Sequence, residues 1–179
     1  ISIFKNNRFE SFNGNSSMKV RGTIASQLID SKNTLWLGGQ NGIEAIKKVN
    51  GKYSTSFYKI PELLKESGVQ SLTEDRDGNI WAGTFLGGLF KLENNEFVYQ
   101  NKKRNIKADS YFMLLVDKQN VMYAATLNGL LIYDLNKGTQ QYITDKDGLN
   151  SELIYSLHFS KNESVLWVGT NQGINKFNL

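Results

Sequence analysis

Four times along the chain an aromatic residue is followed two places on by a small one, then by a short turn, Gly, and Ile or Leu. The segments are WLGGQNGI from Trp36, WAGTFLGGL from Trp81, YAATLNGL from Tyr123 and WVGTNQGI from Trp167. The aromatics stand 45, 42 and 44 residues apart, with one residue inserted in the second segment. Self-similarity at such a period marks a repeat architecture, in which each unit buries its face against the next. The match continues upstream: Asp30, Asp75, Asp117 and Ser160 precede the aromatics by six or seven residues. Each follows a strand-like stretch: IASQLI from Ile24, VQSLTE from Val69, YFMLLV from Tyr111 and IYSLHF from Ile154.

Each unit reads as four short strands. In the second, Val69–Glu74 is the innermost, DRDGN from Asp75 supplies hairpin-turn chemistry, and Asn79–Thr84 returns. Gly87–Gly88 turns the chain into Leu89–Leu92, and Asn94–Asn95 turns it into Phe97–Gln100. No part of the unit is long enough for a crossover helix, so neighbouring strands are antiparallel. Sixteen glycines, a single proline and 12% aromatic residues suit strands and tight turns. Four strands in a period of roughly 40–45 residues are one β-propeller blade. The expected fold is therefore all-β: an arc of four-stranded antiparallel blades. Its parts are a half blade over residues 1–12, blades over 24–60, 69–100 and 111–143, and a partial blade over 154–179. ISIFKNNRFESF from Ile1 aligns with LFKLENNEFVYQ from Leu89, and INKFNL from Ile174 matches the same third strand. Both ends thus offer a third strand, which fits an arc of a larger, seven-bladed propeller better than a closed ring of four.

The small residue after each aromatic, Gly38, Gly83, Ala125 or Gly169, is expected to make a shallow spot for a Trp of the neighbouring sheet. Trp36, Trp81 and Trp167 are accordingly expected at equivalent, largely buried core positions rather than as ligand platforms. An arc leaves its terminal sheets uncovered, so the segment alone is expected to self-associate or to depend on further blades.

Chemistry of other kinds finds little support. The net charge is +4, but basic residues are mostly scattered among acids, and the one dense cluster is Lys102, Lys103, Arg104 and Lys107. A nucleic-acid surface would need a basic stripe with interleaved aromatics. The chain has no cysteine, and no apolar run approaches the ~20 residues of a membrane-spanning helix. His158 is the only histidine and is expected to be a packed or hydrogen-bonded strand residue. Asp75, Asp77 and Asn79 lack the glycine and acid spacing of a calcium loop, and the glycine pairs lead from strand to strand, with no helix N-terminus to receive a phosphate. No metal or cofactor is expected. IPELLKESG from Ile60 is expected to add about two helical turns between blades, Pro61 in the first turn and Gly68 as the cap.

VQSLTEDRDGNIWAGTFLGGLFKL from Val69 resembles the two-component regulator propeller repeat, and DKDGLNSELIYSL from Asp145 resembles the linker between its consecutive copies. The third copy departs from the pattern at Asn120, Tyr123 and Ala125. The resemblance implies a non-catalytic sensing segment of the periplasmic region of a hybrid two-component receptor from Bacteroides-like bacteria. There two seven-bladed propellers precede a β-sandwich, a membrane helix and a histidine kinase. It further implies an oligosaccharide released from complex glycans as ligand, the remaining blades of the same chain as partners, and a homodimer of the intact receptor. Neither nucleic acid nor direct membrane contact is implied. Two alternatives stand beside it. A propeller lyase or glycosidase would need acids, His, Tyr or Arg converging on the channel. A WD-repeat-like interaction scaffold would show Asp after each Trp and a Gly-His pair, and this chain has neither.

In a propeller, the turns between second and third strands share one end of the ring with the linkers to the next blade. The candidate ligand face is therefore Gln40, Asn41, Phe85, Asn128, Asn171 and Gln172, with Arg104 on a linker facing an acidic sugar or plain solvent. Amides suit sugar hydroxyls and Phe85 suits a ring face. The competing explanation is that Asn at these turns only accommodates left-handed backbone.

Overall fold

The computed structural model describes residues 2–5, 8–11, 18–60 and 68–179, so the helix expected within 60–68 and the Asn6–Asn7 turn lie outside the described residues. Strand follows strand. β1 (Ser2–Lys5) and β2 (Arg8–Ser11) pair as an antiparallel ribbon. β3 (Ser26–Ile29), β4 (Leu35–Gly38), β5 (Gly42–Val49) and β6 (Lys52–Lys59) make the first four-stranded sheet. β7 (Val69–Glu74), β8 (Ile80–Thr84), β9 (Leu89–Glu93) and β10 (Glu96–Tyr99) make the second. A single helical turn, α1 (Asn101–Arg104), leads to the third: β11 (Tyr111–Val116), β12 (Val121–Thr126), β13 (Gly129–Asp134) and β14 (Thr139–Ile143). After a short 3₁₀ turn at Asp145–Asp147, β15 (Ile154–Phe159), β16 (Val165–Thr170) and β17 (Gly173–Asn178) form a three-stranded sheet.

Within every sheet the strands pair in chain order and antiparallel. The innermost strands β3, β7, β11 and β15 lie side by side, and β7, β11 and β15 each also touch the second strand of the preceding sheet. This is blade-on-blade stacking, and backbone amides tie it together: Leu114 N–H donates to Ser71 Oγ at 2.9 Å and Leu157 N–H to Met113 Sδ at 3.2 Å.

The hydrophobic core accordingly comes in slices between blades. Trp36, Ile43, Val69, Leu72 and Phe90 fill the first; Trp81, Ile106, Tyr111, Leu114 and Met122 the second; Tyr123, Leu130, Ile154, Leu157 and Leu166 the third. The small residues serve this stacking, though not as seats for tryptophan. A Cβ on Gly38 would lie 2.6 Å from Val69 Cγ1, and one on Gly83 would lie 2.6 Å from Tyr111 Cβ. The shallow spot receives the first residue of the next inner strand.

One carboxylate in each of the first three repeats holds both a turn and an aromatic. Asp75 accepts the backbone N–H groups of Asp77 and Asn79 on one oxygen, while the Trp81 indole donates to the other at 2.8 Å. Asp30 does the same for Lys32, Thr34 and Trp36, the indole at 2.9 Å, and Asp117 for Gln119, Val121 and the Tyr123 hydroxyl at 3.3 Å. A buried indole N–H needs an acceptor, and the aspartate six residues upstream provides it. Burial by itself would raise the Asp30 carboxyl. The hydrogen bonds donated by Trp36, Thr34 and Lys32 outweigh it and hold the group below its ordinary range.

The fourth repeat corrects the expectation that its tryptophan is buried. Trp81 is 1% exposed, whereas Trp167 is 43% exposed. No described blade covers the outer face of β15–β17, and Ile174 is exposed with it. There the aspartate is replaced: Ser160 keeps only the turn, accepting Val165 N–H at 3.0 Å. His158 pairs with Trp167 in register and is likewise exposed rather than packed, for the same reason.

Candidate functional site

The turns between second and third strands repeat one design. Thr84, Thr126 and Thr170 donate their hydroxyls to the carbonyls of Gly88, Gly129 and Gly173 at 2.8, 2.7 and 3.0 Å. The left-handed step falls on those glycines, at φ +91°, +98° and +126°. The turns then bond the linkers. Val69 N–H donates to Gly39 O at 3.1 Å, Gly88 N–H to Asp109 O at 2.8 Å, and Gly129 N–H to Glu152 O at 2.8 Å. Turns and linkers therefore share one end of the arc, which places Gln40, Asn41, Phe85, Asn128, Asn171 and Gln172 there together.

The six do different things. Asn41 accepts Arg21 N–H at 2.7 Å and donates to Lys19 O at 2.8 Å, fastening the segment ahead of the first blade. Gln40, Asn128, Asn171 and Gln172 are exposed, and among the described residues nothing bonds the side-chain amides of Asn128 and Asn171. The competing explanation for the asparagines fails: Asn41, Asn128 and Asn171 do not adopt positive φ, and the left-handed step falls instead on Gly42, Gly129 and Gly173. Phe85 is half-buried, its ring 5.8 Å from that of Phe112. Arg104 is partly buried and engaged with neighbouring side chains. Its guanidinium lies over Trp81 at 5.2 Å and Tyr133 at 5.6 Å, and it donates to Gln100 Oε1 and the Tyr133 hydroxyl at 3.0 and 2.8 Å. Arg104 clamps the α1 linker across two blades.

Sequence reasoning missed two residues at this end. The inner strands β7, β11 and β15 each carry an irregularity after their first residue, where the register skips Gln70, Phe112 and Tyr155. A bulge re-aims the side chain it frees. Phe112 and Tyr155 thus come within 5.3 Å of each other, and with Phe85 they form a row of three rings across three blades. Their common place, second in each inner-strand stretch, was the available signal. Beside the row, the residue inserted in the second repeat lengthens its turn and leaves Leu86 at φ +56°. Gln70 and Gln40 meanwhile line a notch of about 240 Å³ between the first two blades, with Thr23, Ala25, Gly39 and Gly68.

A larger cleft of about 450 Å³ opens on the outer strands between Ser56–Ile60 and Asn95–Phe97. There the Tyr58 hydroxyl, pushed up by burial, donates to Asn95 at 3.2 Å. Among the described residues no three His, Cys, Asp or Glu side chains come together to hold a metal ion, and no helix is long and apolar enough to cross a membrane.

Comparison with known proteins agrees with this geometry. The family model described as two component regulator propeller matches residues 63–85, across the first hairpin of the second blade. Residues 63–85 thus resemble the two-component regulator propeller repeat. Among solved structures, the extracellular domain of a proposed hybrid two component system from B. thetaiotaomicron superposes with a TM-score of 0.75 at 22% identity, covering 98% of this chain and 24% of that one. A second such domain from B. thetaiotaomicron gives 0.75 at 18% identity, covering 99% and 26%. PorZ, a surface component of the type-IX secretion system of Porphyromonas gingivalis, gives 0.72 at 16%, covering 96% and 28%. At these identities the likeness is one of fold, and the chain spans about a quarter of each of these structures. No curated protein matches it.

Proposed function

We propose that the chain is a non-catalytic, ligand-sensing segment of the periplasmic region of a hybrid two-component receptor, and that its ligands are oligosaccharides derived from glycans. Further blades of the same polypeptide complete a larger, seven-bladed propeller, covering Trp167 and Ile174, and the intact receptor works as a homodimer. One observation carries the reading: Asn128 and Asn171 lie at the turn end of adjacent blades with side-chain amides that serve no turn and bond no neighbour among the described residues. An amide both donates and accepts, which suits a hydroxyl-bearing ligand. The family match supports a receptor context, and the loops of a rigid scaffold are where binding residues concentrate.

The test is a glycan array of neutral and acidic oligosaccharides probed with the full-length protein, each hit titrated calorimetrically. Saturable binding to at least one class is expected. Failure to bind any of them contradicts the reading.

A further inference from the structure

We infer that Phe85, Phe112 and Tyr155 form a stacking platform for sugar rings, flanked by Asn128 and Asn171 as hydroxyl-binding groups. The inference rests on the sensing function proposed above and assigns that function a place on the molecule.

The platform is built from independent parts of three blades. Phe85 comes from the turn after β8, whereas Phe112 and Tyr155 are freed from the pleat at the starts of β11 and β15. Each ring leans back on the one from the preceding blade, with centroids 5.8 and 5.3 Å apart and ring planes inclined by 46° and 62°. Inclined rings do not close into a sandwich, and Tyr155 remains 51% exposed. Bulges gather near functional sites because they re-aim side chains without dismantling the sheet. Two bulges at the same place in consecutive blades aim two rings the same way.

Leu86 adds a second observation. A non-glycine residue in the left-handed region is strained, and such strain clusters at ligand clamps. The strained residue carries a 57% exposed apolar side chain next to Phe85. Its N–H is held by Ser110 Oγ at 3.0 Å, from the linker leading to β11.

The amides are placed by pairing. Thr126 pairs with Tyr111, which sets Asn128 two residues on, near Phe112. Thr170 pairs with Ile154, and Asn171 N–H donates to Leu153 O at 3.2 Å, which sets Asn171 near Tyr155. A sugar ring has one face of C–H groups, matched to the negative face of an aromatic ring, and a rim of hydroxyls, matched to amides that donate and accept. The rings and the adjoining turns offer both at the same end of the blades.

The experiment takes the best array oligosaccharide and measures its affinity for the full-length protein and for Phe112→Ala, Tyr155→Leu, Tyr155→Phe and Asn128→Ala, with thermal unfolding of each. Tyr155→Leu keeps apolar cover and loses the flat ring, while Tyr155→Phe keeps the ring. The expected result is a loss of about fivefold to tenfold for Phe112→Ala, Tyr155→Leu and Asn128→Ala, with Tyr155→Phe within about twofold of the parent. If the parent binds and Tyr155→Leu and Phe112→Ala bind equally well, the platform is overturned while sensing stands. An unfolded Phe112→Ala leaves Tyr155→Leu against Tyr155→Phe as the deciding pair. If the parent binds no oligosaccharide, both are overturned.

Discussion

Trp81→Ala lowers the stability of the fold by about 3–5 kcal/mol, the range for truncating a core aromatic. Trp81 loses three things at once: the packing of the second core slice, the indole bond to Asp75, and the surface on which the Arg104 guanidinium rests. Trp167→Ala, at the matching position of the fourth repeat, costs this 179-residue chain only about 1 kcal/mol, because its side chain is already half solvated. In the longer polypeptide, where a further blade is proposed to cover it, the cost of Trp167→Ala rises into the Trp81 range. Urea unfolding of both variants in both contexts checks this. Equal costs for Trp81→Ala and Trp167→Ala in the 179-residue chain would contradict the slice-by-slice core.

Asp75→Ala is expected to cost about 2–4 kcal/mol. Hydrogen bonds to a charged group are worth about 1.5–3 kcal/mol, and the change also strands a buried indole N–H. Asp75 accepts from the backbone of Asp77 and Asn79, from the Asn79 amide and from Trp81, so the loss is shared between turn and core. Asp75→Asn keeps an acceptor and should lose roughly half as much. The same alanine substitution at Ser160 should stay within about 1 kcal/mol, since that side chain holds only its own turn. Denaturant midpoints for the three variants give the order directly.

The difference between Asp75 and Ser160 shows what could be read from residues alone. The repeated aromatic reveals the blades because its spacing is a property of the chain. The aspartate upstream is visible as a turn residue, but its second oxygen reaches Trp81 only once β7 and β8 have paired. Whether Trp167 is buried depends on a neighbouring blade, which no local pattern encodes. The end of the arc that carries Asn128 and Asn171 was legible, because the turn geometry delivers them there. Phe112 and Tyr155 were hidden because strand alternation assumes an unbroken pleat, and a one-residue bulge reassigns the side chains around it. The contacts of Arg104 were not legible because its partners, Trp81 and Tyr133, lie 23 and 29 residues away in sequence.

The central claim is that the end bearing the second-to-third strand turns is the ligand face. Amide hydrogen exchange of the full-length protein, with and without a saturating array-selected oligosaccharide, tests it most directly. The account predicts slowed exchange at Phe85–Gly88, Phe112–Met113, Leu127–Gly129 and Tyr155–Ser156, with no change at the opposite-end turns around Asp77, Gln119 and Asn162. Protection at those opposite turns instead, or at neither end, would contradict it.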